Sequence, residues 1–388
     1  MTDFTLIPLK THSILLLPFT TSILSDPSEI ISTILNTLPK SSKESFTIIL
    51  TTPPQITNKN DQEQLYTKLL LSPKAHFETF QTFLGRIYSA LATAQSNAGK
   101  ILMDVEVHFD GEKGSWENKI FRNGIRSNID NGSDSESEGE YQILTPDGVF
   151  IPPQLNEYIP SIPQISLPPI PDALDQDGHI LEISSPSFPS KPEPGPRVVA
   201  LGGTFDHLHA AHKLLLHLSH FLVSERLIVG LMSDTLLNSK KHFELVENLD
   251  RRINGVESFL NRLGGSVYDD KNENSAKIIT QEKGKRIKLD VKEITDAYGP
   301  TAYENDIDAL IVSKETLSGG LAVNNKRKEN NLTELEIFVI DVIGDQKDSQ
   351  STLTGQGLDE SILKELKMGS TGIRNWIYQQ NQNQSQKE

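Results

Sequence analysis

The chain has 388 residues, with 37 Lys and Arg against 52 Asp and Glu, and it contains no cysteine. A net charge of −15 argues against non-specific binding to nucleic acid or to an anionic membrane, because both need a basic surface. The lack of cysteine excludes disulfides, thiolate zinc sites and cysteine nucleophiles. No apolar run approaches the ~20 residues of a membrane helix and no secretory leader is recognisable, so we expect a cytoplasmic protein, with the nucleus as a second location.

The N-terminal part carries the patterns of a small α/β domain over residues 1–125. Ser13–Phe19 and Phe46–Thr51 are apolar and rich in β-forming residues, and Ile101–Phe109 alternates as a strand does. Gln62–Ala94 has the apolar periodicity of a helix. These segments indicate no chemistry, so the role of this domain is not predicted.

Residues 126–196 are predicted to form a largely disordered linker. Ser127–Glu140 is acidic and polar, with Ile129 as its one apolar residue, so it has little to bury against the entropy of ordering. Thirteen of the 21 prolines lie between Pro146 and Pro196, and proline supplies no backbone donor. This composition predicts an extended connection between two domains.

After Arg197 the pattern alternates between strands and helices. The expected strands are Arg197–Leu201, Arg226–Leu231, Ile287–Val291, Ala309–Val312 and Glu336–Ile343, and the expected helices are Ala210–Val223, Leu249–Leu263 and Ser370–Gln379. This alternation predicts an α/β domain over residues 197–388, with a Rossmann-like parallel sheet covered by helices on both faces. In such sheets ligands bind beyond the carboxyl ends of the strands, where the strand order reverses.

The segment after the first of these strands has the features of an anion-binding turn. Gly202 and Gly203 allow the backbone to turn sharply and to approach a ligand, and the next helix presents free N–H groups. Neither the dinucleotide fingerprint GxGxxG nor the P-loop sequence occurs there. His209 and His212 are three residues apart, so both imidazoles lie on one face at the start of the helix.

Two other roles for these histidines stay open. Five of the ten histidines fall in the range His207–His220, and three neighbouring imidazoles could hold zinc. The segment offers no carboxylate beyond Asp206 and no further ligand group at zinc-like spacing, which disfavours a metal site. Helix capping is the simplest alternative for His209 and His212.

The segment Gly202–Lys213 (GGTFDHLHAAHK) resembles the first signature of the HxGH nucleotidyltransferase superfamily, in the form found in eukaryotic phosphopantetheine adenylyltransferases. The resemblance covers residues 197 to about 379, under half of the chain, and continues in the family's order through Asn238–Lys241, Asp296–Pro300, Val312–Thr316, Gly319–Asn324 and Gly369–Arg374. Six motifs in one order make a specific match. The chain departs from the family in two places, because Ala211 replaces the glycine of HxGH and Gly369 replaces the first serine of ISSTxxR.

The resemblance implies transfer of AMP from ATP to 4′-phosphopantetheine, which gives dephospho-CoA and pyrophosphate. It also implies that Mg²⁺ arrives with ATP. Many eukaryotic relatives carry a fused dephospho-CoA kinase, and its P-loop is not found in this sequence. A separate dephospho-CoA kinase is therefore expected to act on the product. We predict no nucleic-acid or membrane partner.

Individual roles come from the same resemblance. It implies that His212 stabilises the charge that develops on the α-phosphate and that Thr204 bonds the attacking phosphate and the α-phosphate. It further implies that Lys240 holds the acceptor phosphate, with Lys241 as its substitute. The expected nucleotide-binding residues are Gly202, Gly203, Thr204, Phe205, His209, His212, Ser370, Thr371 and Arg374.

Alternatives remain for some of these residues and for the whole activity. Ser370 and Thr371 could form a helix N-cap, and Lys326 and Arg327 are weaker candidates for phosphate contacts. Another HxGH-superfamily nucleotidyltransferase is the first alternative activity. A catalytically weak scaffold of a CoA-synthesising assembly is the second.

Overall fold

The computed structural model describes residues 7–53, 64–110, 141–153, 155, 162–170, 188–189, 191–264, 267–269, 277–280, 286–340 and 369–385. The chain forms two compact units, the first comprising residues 1–195 with 261–268 and 279–286, and the second the remainder. Among the described residues, no helix combines the length and the apolar character needed to cross a membrane.

The first unit is built on a five-stranded parallel sheet with the order β3-β2-β1-β4-β5. Its strands are β1 (Lys10–Pro18), β2 (Ser42–Thr51), β3 (Asp104–Phe109), β4 (Tyr141–Pro146) and β5 (Gln164–Leu167). Its helices are α1 (Thr21–Ser25), α2 (Ser28–Ser41), α3 (Leu65–Leu70) and α4 (Pro73–Asn97).

The apolar runs of this unit explain its central strands. Ile14 to Leu17 in β1 are at most 1% exposed, and a continuous buried run is typical of a parallel strand covered on both faces. The single helix predicted over Gln62–Ala94 is divided in two, because Pro73 begins α4 and has no N–H with which to continue the preceding turn.

Strands β4 and β5 lie within residues 126–196, which the sequence assigned to a linker. Ile143 and Leu144 of β4 are buried against β1, with Ile143 opposite Ile14, so the sheet extends well beyond residue 125. The linker interpretation is therefore wrong for these two strands, since a short apolar core segment outweighs the proline-rich surroundings. Ser127–Glu140 lies outside the described residues.

A second sheet has seven strands in the order β12-β11-β6-β7-β10-β9-β8, and its strands β6, β7, β11 and β12 lie in the second unit. Its strands are β6 (Val198–Gly203), β7 (Arg226–Met232), β8 (Val267–Asp269), β9 (Lys277–Thr280), β10 (Arg286–Ile294), β11 (Ala309–Ser313) and β12 (Glu336–Ile340). Its helices are α5 (Ala210–Leu222), α6 (Asp234–Leu237), α7 (Leu249–Leu263), α8 (Leu317–Glu329) and α9 (Ser370–Ser385). The predicted parallel α/β fold is confirmed.

The strand order places a ligand-binding edge in this unit. From the central strand β6 the chain adds β7 and β10 on one side and then β11 and β12 on the other, and these neighbours pair in parallel. The order reverses between β6 and β11, so a crevice is expected at their carboxyl ends. The sequence motifs come after the carboxyl ends of β6, β7, β10 and β11, at this same edge.

Candidate active site

The turn after β6 is shaped by a phenylalanine that folds back on the strand. Phe205 is fully buried with φ +48°, and its ring lies where a side chain on Gly203 would meet it, 3.1 Å from an added Cβ. The same ring packs 5.2 Å from the imidazole of His212. A side chain on Gly203 would therefore lie tightly against this ring, which would have to shift by a few tenths of an ångström.

His209 and His212 form a stacked pair at the start of α5. Their ring centroids are 3.9 Å apart, and the planes differ by 27°. The Nδ1 atoms of both rings are buried and have no hydrogen-bond partner in the part of the chain that the structure describes. Such orphaned buried atoms call for a ligand or a water molecule. His209 occupies the N-cap position, but its side chain makes no capping hydrogen bond there, so the capping alternative finds no support for this residue.

Both imidazoles are neutral at neutral pH. Burial, together with His207, lowers the pKa of His212 to about 3. Burial is also the main cause that holds the pKa of His209 well below its ordinary value, followed by the neighbouring His212, His207 and Lys213. A neutral imidazole can still donate one N–H to an anion.

The start of α9 lies against the turn after β6. The Ser370 hydroxyl donates to the backbone oxygen of Asp206 at 3.0 Å and lies 3.4 Å from His209 Nε2. The N-termini of two helices of 13 and 16 residues therefore meet at the histidine pair. Each helix start favours negative charge, so together they suit a polyphosphate.

Thr371 and Arg374 belong to the same helix but differ in exposure. Thr371 is exposed and its hydroxyl accepts from Arg374 Nη2 at 3.2 Å. Arg374 is only 2% exposed, and its Nη1 donates to the carboxylate of Asp206. The structure therefore brings Ser370 to the turn after β6, whereas Thr371 contacts Arg374 and the Arg374 guanidinium is engaged with protein groups.

Lys240 and Lys241 lie on the connection after α6, and both are exposed. The backbone of Lys240 closes a turn by donating to Leu237 O at 2.9 Å. The backbone oxygen of Lys241 accepts from Arg374 Nε at 2.9 Å, which ties this connection to α9. Both ammonium groups keep the exposure that a phosphate-binding lysine needs.

A buried arginine that the sequence analysis did not single out supports the turn from α7. Arg252 Nη1 donates to the backbone oxygens of Thr204 and Met232, each at 2.9 Å, where β6 and β7 end. Its side chain has no exposed surface. The signal was present in the sequence, since Arg252 has helical spacing with the buried Val256 and Phe259 and so lies on the apolar face of the helix.

The remaining motifs build the rim of the same edge. Asp296 accepts from the backbone N–H groups of Tyr298 and Gly299, which shapes the turn after β10. Ser313 and Thr316 form a capping box after β11. These motif residues therefore fix loop shapes in the described structure.

The basic pair Lys326 and Arg327 is used within the protein. Lys326 pairs with Glu329 at 2.9 Å, and Arg327 is fully buried. Arg327 donates to the backbone oxygens of Thr301, Glu304 and Thr333. Its guanidinium therefore holds together the backbone around the 3₁₀ turn Gly299–Ala302.

One group of potential metal ligands occurs among the described residues, formed by Asp206, His207 and Glu247, whose ligand atoms lie within 4.8 Å of one another. Protein groups already occupy these atoms. Asp206 Oδ1 accepts from the backbone of Glu247, Glu247 Oε2 accepts from the backbone of His207, and His207 Nε2 donates to Leu245 O, each at 2.9 Å. We interpret the group as a hydrogen-bonded joint between two loops.

The chain is similar to known proteins over a region that includes the turn after β6. Residues 200–367 match the cytidylyltransferase-like family. A phosphopantetheine adenylyltransferase of Saccharomyces cerevisiae is 37% identical over 151 residues, which cover 39% of this chain and 43% of that protein. An uncharacterized protein of Schizosaccharomyces pombe is 34% identical over 229 residues, 58% of this chain and 63% of that protein. The chain thus spans about half the length of these two relatives.

An archaeal relative is covered more completely. A phosphopantetheine adenylyltransferase of Pyrococcus horikoshii is 34% identical over 145 residues, which cover 37% of this chain and 78% of that protein. The similarity therefore includes most of a smaller protein of this name.

Proposed function

This chain belongs to the phosphopantetheine adenylyltransferase family, and on that premise we propose that it transfers the adenylyl group of ATP to 4′-phosphopantetheine. A phosphate oxygen of 4′-phosphopantetheine attacks the α-phosphorus of ATP, the bond to the β-phosphate oxygen breaks, and pyrophosphate leaves. The product is dephospho-CoA, which a separate dephospho-CoA kinase would consume. We propose a cytoplasmic location.

The observation that carries this proposal is a pair of half-buried imidazoles, each with a buried and unpartnered Nδ1 atom, where two helices begin. Adenylyl transfer needs preorganised donors around phosphates and no covalent nucleophile. His212 is proposed to donate a neutral N–H to an α-phosphate oxygen, in a hydrogen bond that strengthens as charge builds up in the transition state. His209, beside it, is proposed to bind the nucleotide.

The other site residues act on the two phosphate groups that react and on the leaving group. Thr204 is proposed to bond the attacking phosphate and the α-phosphate. Lys240 is proposed to hold the acceptor phosphate, with Lys241 as its substitute. Ser370 and Thr371, in the first turn of α9, are proposed to bond the β- and γ-phosphates.

The backbone of the turn after β6 supplies the close approach to the nucleotide. Gly202 and Gly203 carry no side chain that would separate the main chain from a phosphate, and Phe205 holds the turn in place. Mg²⁺ would be held by the phosphate oxygens of ATP, because the oxygens of Asp206 and Glu247 already accept from protein donors. The metal would neutralise phosphate charge.

The test is an assay of the purified full chain with ATP, Mg²⁺ and 4′-phosphopantetheine. We expect pyrophosphate and dephospho-CoA in equal amounts, identified by mass. Parallel reactions replace ATP with CTP, or 4′-phosphopantetheine with nicotinamide mononucleotide. Transfer only in one of these would assign another activity of the superfamily, and ATP binding without any transfer would favour the scaffold alternative.

A further inference from the structure

The side chain of Arg374 joins two loops of the site. It is 2% exposed, its Nη1 donates to Asp206 Oδ2, and its Nε donates to the backbone oxygen of Lys241 at 2.9 Å. Asp206 belongs to the turn after β6, whereas Lys241 belongs to the connection after α6. One planar guanidinium from α9 thus fixes both segments.

Asp206 lies between two residues with strained backbone conformations. The residues on either side, Phe205 and His207, have φ values of +48° and +45°, a region that residues with a side chain rarely adopt. Such conformations persist where the surroundings over-determine them. Here both carboxylate oxygens of the fully buried Asp206 are engaged, one with Arg374 and the other with the backbone of Glu247.

The connection after α6, which carries Lys240 and Lys241, is held by further residues of α9. His242, next to Lys241, has φ +54°, and its Nε2 lies 2.9 Å from the Asn375 side-chain oxygen. Its ring stacks on Tyr378 with centroids 4.4 Å apart. Residues 374, 375 and 378 of α9 therefore contact the two residues that come after Lys240 in the chain.

We propose that the Asp206–Arg374 ion pair is a positioning device that aligns the turn carrying Thr204 with the loop carrying Lys240 and Lys241. This proposal rests on the proposed function, in which these residues meet the two reacting phosphates. Arg374 acts through Asp206 and the Lys241 backbone and does not contact the β- and γ-phosphates. A direct contact through Nη1 would leave the buried carboxylate without its charged partner, which is strongly unfavourable, and Nη2 already donates to Thr371.

The two possible roles of Arg374, phosphate binding and loop positioning, predict different effects of substituting its partner Asp206. If Arg374 binds phosphate directly, Asp206→Asn removes a competing negative charge and tightens ATP binding, whereas Arg374→Lys weakens it. If the pair positions the loops, Asp206→Asn and Arg374→Lys both disturb the same alignment. A misplacement of about 1 Å costs about 10²-fold in rate, and the cost falls mainly on transfer to the acceptor.

The experiment measures kcat and both KM values for the full chain and for Asp206→Asn, Arg374→Lys and the double variant, together with the Kd for ATP by calorimetry. We expect kcat/KM for 4′-phosphopantetheine to fall about 10²-fold in each single variant. The Kd for ATP should change little. The kcat/KM of the double variant should be no lower than that of the less active single variant, because both substitutions break the same pair. Tighter ATP binding in Asp206→Asn with weaker binding in Arg374→Lys would overturn the proposal.

Two further measurements separate positioning from loss of folding and from failure of the proposed function. Arg327→Lys removes another buried guanidinium and calibrates how much activity is lost through lower stability alone. Hydrogen exchange of the amides in 203–208 and 238–246 is measured in every variant. Joint loss of protection in both segments supports the pair even if the wild-type chain transfers no adenylyl group, and unchanged protection of 238–246 in Asp206→Asn overturns it.

Discussion

The two units share the order of five parallel strands and differ in the connection after their first strand. In each, the first strand is flanked by two later parallel strands on either side, in the orders β3-β2-β1-β4-β5 and β12-β11-β6-β7-β10, and β9 and β8 extend the second sheet beyond β10. After β1 the chain passes through Phe19 and Thr20 into α1, which has five residues. After β6 it passes through a turn with two positive φ values into α5, which has thirteen.

The starts of these two helices differ in their free donors. The Thr20 hydroxyl accepts from the backbone N–H of Ile23 at 3.3 Å and so satisfies one donor at the start of α1. The side chain of His209 makes no such bond at the start of α5, which leaves the N–H groups there available to an anion. In the proposed function the phosphate site therefore depends on the first connection and not on the strand order that the two units share.

The largest expected effect tests the chemistry of that connection. His212→Ala should lower kcat about 10²–10³-fold, because it removes a donor that acts as charge develops on the α-phosphate. The Kd for ATP should change by less than about tenfold, since the ground state uses this contact less. Steady-state kinetics and calorimetry measure the two quantities.

Thr20→Ala is the matched control in the first unit. It removes the hydroxyl that caps α1 and should cost about 1 kcal/mol of stability while kcat stays unchanged. A loss of ATP affinity in His212→Ala as large as the loss of kcat would contradict the assignment of this residue to the transition state.

A smaller effect on stability is expected where a glycine is required by its surroundings. Gly299 has φ +52°, and an added Cβ would lie 2.6 Å from Ile294 Cγ2. Gly99 of the first unit has φ +65°, and a Cβ added there would meet no atom of another described residue within 4 Å, its chain neighbours apart. Gly299→Ala should therefore lower the free energy of unfolding by about 2–3 kcal/mol, against about 1 kcal/mol for Gly99→Ala.

Denaturant titration of both variants measures this difference. Equal losses would mean that the turn after β10 adapts to the added methyl group, so that backbone strain alone determines the cost at both positions.

The sequence predicted the elements with strong periodic signals and missed those whose signals conflicted. The bounds of α7 are those expected, because its apolar residues recur at helical spacing. Strand β4 was missed since the prolines around it dominated the composition, although Ile143 and Leu144 are core residues. Helix α8 was missed because it has a glycine pair in its first turn and few apolar residues.

In the site too, features with a local sequence signal were predicted and features that depend on distant contacts were not. Histidine spacing placed His209 and His212 on one face, and the structure stacks them. The buried roles of Asp206 and Arg374 depend on a contact across 168 positions of sequence, which no local pattern records. The sequence suggested a phosphate contact for Arg374, whereas its contacts with Asp206 and the Lys241 backbone in the folded structure indicate a positioning role.

A modest effect of pH is expected from the buried histidines. Burial lowers the pKa values of His209 and His212 below the ordinary value of 6.5. The unfolded chain therefore binds more protons than the folded chain as the pH falls below about 6.5. The free energy of unfolding should accordingly decrease from pH 7 towards acid, through the window between the ordinary pKa and the folded value of about 3 for His212.

Melting temperatures between pH 7 and pH 5 test this expectation. The double variant His209→Asn/His212→Asn should lose less stability than the wild-type chain when the pH is lowered from 7 to 5. His76→Asn in the first unit, where burial lowers one histidine pKa, should remove a smaller part of the dependence. A constant difference between wild type and double variant across the range would contradict the explanation.

The smallest expected effect is the sharpest test of the comparison between the units. Residues 197–388 alone should transfer the adenylyl group with the kcat and KM values of the full chain, because each proposed site residue and the whole matched family region, 200–367, lies after residue 196. Circular dichroism establishes that the fragment is folded before its activity is compared. A folded, soluble fragment without activity, beside an active full chain, would mean that the shared topology conceals a catalytic contribution from the first unit.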